Sequence, residues 1–163
     1  MSVWGDILVS LRDVIQSSEE FKNIGVYYDD AEMNPNVPLP AISFKVGKKE
    51  VLNSSSYCTE YSRNIQIRLH TKTLDKRDLQ EELYDYEEQL VSVLNNAKMN
   101  GDIPSYYEID ETGSSNINAL MFNSRKEANQ FNMIFFSNML KINFQIRYKI
   151  WSSSIKVKMM LFV

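Results

Sequence analysis

Cysteine and histidine are nearly missing from this chain of 163 residues, which holds one of each, Cys58 and His70. A single cysteine forms no internal disulfide. A single histidine leaves a zinc site almost without ligands, and any triad or His–Cys pair would have to use His70. Glycine (5) and proline (4) are also sparse, which removes collagen-like and proline-rich low-complexity readings. No apolar run approaches the ~20 residues of a membrane helix. The start, Met1-Ser2-Val3-Trp4-Gly5-Asp6, has no basic region of the kind that opens a signal peptide. There is no excess of positive charge either: 18 basic against 21 acidic side chains give −3, unlike a general nucleic-acid binder. What remains is 44% hydrophobic and 24% charged residues, enough apolar material for a core. The expectation is one intracellular domain spanning 1–163, with no membrane contact, in which 124–163 has room for an insertion and a C-terminal extension.

The periodicities supply the elements. Val3, Trp4, Ile7, Leu8, Leu11, Val14 and Ile15 recur at spacings of three and four, predicting a helix that Ser2 caps and that fades near Ser17. Residues 24–28 read as a short strand. The acidic loop that follows carries Pro35, Pro38 and Pro40, which forbid helix and lead into a strand over Ala41–Val46. The polar, serine-rich stretch 47–61 is read as a long hairpin connection whose ends extend the flanking strands. Arg63–Thr71 alternates strictly, with Ile65, Ile67 and Leu69 against Asn64, Gln66, Arg68 and His70. Asp75 is expected to cap a second helix reaching Ala97, striped by Leu79, Leu83, Tyr86, Leu90, Val93 and Leu94. Asp78, Glu81, Glu82, Asp85 and Glu88 form its acidic face. Tyr106–Glu111 and Asn116–Phe122 are predicted as two strands joined by a turn at Gly113. Ser124–Asn138 fits neither period. Lys141–Trp151 alternates again, as does the final run from Ile155 to Val163.

Helices and strands that each have one apolar face predict an α+β two-layer sandwich, a mainly antiparallel (mixed) sheet with two helices packed on one face. The opposite face then displays Arg68, His70, Lys141, Arg147 and Lys149. Long edge strands need covering, and an oligomer would cover them. The charge is also segregated: residues 1–120 carry 11 basic and 20 acidic side chains, residues 121–163 carry 7 and 1. Interleaving in the fold would erase that asymmetry; otherwise an acidic face of one copy meets a basic face of another.

Candidate chemistry is thin. Cys58 has only Arg63 nearby in sequence to activate its thiol. Asp29, Asp30 and Glu32 can attract a hard cation but lack the ligand spacing and glycine of an EF-hand loop. Glu108, Asp110 and Glu111 are the carboxylates a metal-dependent nuclease or hydrolase would use, though without a lysine in the usual relation. Gly47-Lys48-Lys49 lacks the remainder of a phosphate loop. No catalytic, cofactor or metal residue is assigned. The aromatic run containing Phe131 and Phe135 suits either a core plug or an anchor for a partner.

The order of features resembles the tail-terminator, or tail-completion, proteins of long-tailed bacteriophages. The resemblance rests on the amphipathic helix, the entry Pro38-Leu39-Pro40-Ala41-Ile42-Ser43-Phe44, the long hairpin and the alternating strand Asn64–Thr71. The leucine-striped helix and the late strand Ile142–Tyr148 complete it. It implies a virion protein made in the host cytoplasm and working without catalysis or cofactor. Its copies form a ring, usually a hexamer, that caps the tail tube and ends its polymerisation. The partners so implied are further copies of itself, the tail tube protein, head-completion or neck proteins, and a sheath where the tail is contractile. DNA only passes through the lumen. A head-closure or neck ring protein of the same particle is the neighbouring alternative. Three contact regions are expected. They are a projecting segment with Lys48, Lys49, Glu50 and Tyr57, the Phe131 and Phe135 patch, and the acidic helix face (Glu81, Glu82, Asp85, Glu88) meeting Arg147 and Lys149 of the next subunit beside Arg68.

Overall fold

A computed structural model of the chain describes residues 2–28, 40–73, 76–104, 106–121 and 135–151. Helix α1 (Val3–Ser17) begins where Ser2 Oγ accepts a hydrogen bond from the Gly5 amide at 3.0 Å, and ends at Ser18, whose amide bonds Ile15 O. Strands β1 (Gly25–Tyr27), β2 (Ala41–Ser54) and β3 (Cys58–Thr73) precede helix α2 (Lys76–Asn100). Strands β4 (Tyr107–Met121) and β5 (Phe135–Trp151) follow it. The sheet order is β1-β2-β3-β5-β4, antiparallel throughout except for the parallel β1–β2 pair. The α+β fold with helices on one side is therefore as expected.

The alternation read in the sequence selects the buried face. Ile42 and Phe44 of β2, Ile65, Ile67 and Leu69 of β3, and Leu140, Ile142, Phe144, Ile146 and Tyr148 of β5 face the helices with Tyr107 and Ile109 of β4. Against them lie Ile7, Leu11 and Ile15 of α1 and Leu83, Leu90, Leu94 and Ala97 of α2. Each such large side chain contributes roughly 1.5–3 kcal/mol on burial. Phe21 and Ile24, in the turn after α1, close one end of this core.

Four expectations change. The stretch 47–61 is mostly strand: the β2–β3 ladder continues past a register shift between Val46 and Lys49 to a tight turn, where the Ser55 amide bonds Cys58 O at 2.9 Å. At the shift Gly47 admits a close approach, since a Cβ there would lie 3.0 Å from Asn64 O. Gly113 makes no reversal. It sits at φ +152° beside a register shift between Glu111 and Gly113, so one long strand bulges and continues along β5. Helix α2 runs three residues beyond Ala97 before Gly101, at φ +76°, lets the Asp102 amide return to Ala97 O at 2.9 Å. Arg68, placed on the solvated face by its alternation, is 8% exposed, and its Nε donates to Gln66 Oε1 at 3.1 Å. The acidic residues Asp29, Asp30 and Glu32, the cap Asp75, the ambiguous residues 124–134 with Phe131, and the run 152–163 lie outside the described residues, as does the Leu79 side chain.

Candidate functional site

Along the strands the sheet divides into a part under the helices and a part beyond them. The division falls at Trp4. Its ring lies 5.6 Å from that of Tyr148 and receives the Arg63 guanidinium at 5.0 Å. Tyr148 stacks in turn on Tyr61 at 5.6 Å, and Lys49 Nζ sits 4.6 Å from the Tyr61 ring. This row of aromatic rings and cations seals the core edge with contacts that remain favourable where water reaches them. Arg63 stands on the apolar side of the β3 alternation, which is the sequence signal that the core ends there.

Past that row, every residue from Gly47 to Tyr57 is exposed. This hairpin arm carries Val51, Leu52 and Tyr57 at 61%, 47% and 59% exposure. Beside it the end of β5 adds exposed Ile150 and Trp151, paired in register with Thr59 and Cys58. Val51 faces the same side as Tyr61, its register partner, so the apolar face of the sheet runs on with no covering layer among the described residues.

The expected contact residues fall into separate groups. Lys48, Lys49, Glu50 and Tyr57 come together on the arm. Lys149 pairs in register with Glu60 at the arm's base. Glu81, Asp85 and Glu88 are exposed on α2, whereas Glu82 is half-buried beside Tyr86, whose phenol is pushed above its usual pKa by burial and then by the Glu82 charge. The helix lies on the opposite side of the sheet from Arg147 and Lys149, so the acidic face and these cations do not meet within one chain. Arg147 already has partners of its own: its Nη2 donates to Glu108 Oε2 at 2.7 Å and Asp110 Oδ2 at 3.3 Å on neighbouring β4. Phe135 opens β5 opposite Met121.

The remaining chemistry-bearing residues are spread over the fold. His70 Nε2 lies 2.9 Å from Ser43 Oγ across the β2–β3 ladder. Cys58 is half-buried at the turn of the arm. Glu108 and Asp110 share a face of β4 with Arg147 between them, and Glu111 points to the other face. Lys98 Nζ ties the end of α2 to β4 through Ile109 O at 2.7 Å and Asp110 Oδ1 at 3.5 Å. Among the described residues no three His, Cys, Asp or Glu side chains converge as a metal site requires. A groove of about 720 Å³ between α1 and α2, open to water, is lined by polar side chains such as Asp6, Asp13 and Asn96 together with apolar ones such as Val9, Val14 and Val93. No helix among the described residues is long and apolar enough to cross a membrane. No protein-family model matches this chain, and no curated protein matches it.

Proposed function

We propose that the protein is a structural ring component of a bacteriophage tail, a terminator whose copies close on the last ring of the tail tube, end its growth and offer a surface to the head or neck. In this reading it acts in the virion and by shape alone. The observation that carries it is the arm. An apolar surface of Val51, Leu52, Tyr57 and Ile150, held out beyond the helices on a two-stranded ladder, has the composition of a protein-contact surface. Its rim is polar, with Lys48, Lys49, Glu50 and Glu60. The fold supplies rigidity at its root through the Trp4–Tyr148–Tyr61 row, so the arm is presented in one direction.

The test uses purified protein and tail tubes assembled from the tube protein. Rings at tube ends and arrested tube length are expected for the wild type. The pair Val51→Asp and Leu52→Asp should abolish capping while leaving the circular-dichroism spectrum and melting temperature close to wild type. Tubes that grow to normal length and join heads in particles lacking the protein would overturn the proposal.

A further inference from the structure

Among the described residues, each side of the sheet leaves a length of strand edge unpaired, on β2 at one side and on β4 at the other. Strand β1 covers β2 only at Ala41–Ser43, and among the described residues nothing pairs with the outer edge of β2 beyond Ser43 or with the outer edge of β4. Such edges present rows of unpaired amides and carbonyls that another strand satisfies. Their charges are opposite. The β2 edge carries Lys45, Lys48 and Lys49, all exposed, and the β4 edge carries Glu108, Asp110 and Glu111, also exposed. Through the shared ladders these two stretches lie at nearly the same level along the strands: Lys49 leads through Arg63 to Ile146, and Ile109 pairs with Ile146 as well.

The direction of the strands and their charge then select the partner. Strand β2 runs parallel to β5 and opposite to β4, so a copy brought alongside by rotation sets β2 antiparallel to β4. A two-fold contact of β4 on β4 would oppose carboxylates, and one of β2 on β2 would oppose lysines; like charges directly across a ladder are unfavourable. The head-to-tail contact joins unlike edges, and such a contact closes into a ring when its rotation allows. The register is limited too, because a shift by one residue would turn the apolar side outward. With no stagger Glu50 faces Glu108. A stagger of two residues sets Lys45 opposite Asp110, Lys48 beside Glu108 and Glu50 opposite Tyr106, with both bulges accommodated. Strand stagger is also what a closing sheet requires.

Resting on the ring reading above, we infer that neighbouring subunits are joined by edge pairing of β2 in one copy with β4 in the next, in the register that places Lys45 across from Asp110 and Lys48 across from Glu108. The sheet continues from subunit to subunit, and the arms all point along the ring axis. Arg147 keeps Glu108 and Asp110 in place from within the chain, and the lysines of the neighbour add to that cluster.

Disulfide trapping tests the register. Lys45→Cys with Asp110→Cys, in a Cys58→Ser background, is assembled on tail tubes and then oxidised. A ladder of covalent species ending at the ring number is expected, with each single-cysteine protein giving no species beyond a dimer. Rings seen by electron microscopy without a ladder overturn the edge pairing and leave the ring reading standing. Wild-type protein that neither forms rings nor caps tubes removes that reading, and the pairing with it. Lys45→Glu with Lys48→Glu provides a second measure. Association should weaken several-fold at low salt and less at high salt, because exposed pairs are screened. Unchanged association, or loss of tube binding with rings intact, also overturns the inference, the latter by assigning the edge to the tube.

Discussion

The same strands behave differently on the two sides of Trp4. Below it, Ile42, Phe44, Ile65, Ile67, Ile142 and Phe144 are at most 3% exposed beneath the helices. Above it, Val51 and Ile150 occupy the same face of the same sheet and are 61% and 41% exposed. Alternation alone therefore does not tell a buried strand face from a displayed one; the length of the covering helices does. Stability resides in the lower part, and the upper part is free to be shaped by contacts.

That division predicts its own largest effect. Phe44→Ala removes a fully buried ring between β2, the helices and Tyr28, whose ring lies 6.4 Å away. It should cost about 3–5 kcal/mol in chemical denaturation. Val51→Ala on the same strand should stay within about 0.5 kcal/mol of wild type. Comparable losses at the two positions would mean that the arm is packed in solution, and the contrast between the regions would fail.

The boundary itself should respond at an intermediate level. Trp4→Ala removes a tilted stack on Tyr148 and a seat for Arg63, and should cost about 1–3 kcal/mol. Hydrogen exchange sharpens the test. Faster exchange is expected at Tyr61 and Tyr148, with Ile67 and Ile142 nearly unchanged. Uniform acceleration across the sheet would show that Trp4 supports the whole core and marks no boundary.

Much of the lower region was legible because its patterns are long and local. The α1 stripe, the Ser2 cap and the alternation of Arg63–Thr71 and Lys141–Trp151 each follow from a single period. The arm was harder to read: Ser54, Ser55 and Ser56 with Lys48 and Lys49 have the composition of a loop, yet cross-strand pairing makes most of that stretch a ladder. Gly113 misled for a related reason. A glycine in a polar stretch signals a turn, but pairing with all of β5 carried β4 straight through it. Arg68 was assigned to solvent by its place in the alternation, whereas its position in the central strand β3 buries it. The edge contacts proposed above were legible only as charge. Lys48 and Lys49 of β2 were singled out, while Glu108, Asp110 and Glu111 of β4 were weighed only as carboxylates of a metal enzyme and left unassigned, because the sheet order that puts β4 at one edge and β2 beside the short β1 at the other is not written in either segment.

The smallest effect concerns alkaline pH and the tie between α1 and β4. Tyr107 is 4% exposed, and its phenol lies 3.0 Å from Ser10 Oγ. Burial raises its pKa above the ordinary 10.0, the Ser10 hydrogen bond opposes this in part, and Tyr106 adds to the rise. Below about pH 10 the phenol is neutral in both folded and unfolded chains and contributes no pH dependence. Above that the unfolded chain loses the proton first, so the stability held by the neutral phenol is lost as pH climbs through the folded-state value. Tyr107→Phe should therefore cost about 0.5–1.5 kcal/mol at neutral pH, the worth of one hydrogen bond, and flatten the fall in stability above pH 10. Tyr86 and Tyr106, raised in the same direction, leave a residual slope. Urea denaturation at pH 8 and at pH 10.5 measures both quantities. An unaltered alkaline slope in the variant would mean that Tyr107 meets solvent, and that the covered region ends lower on β4 than it does on β5.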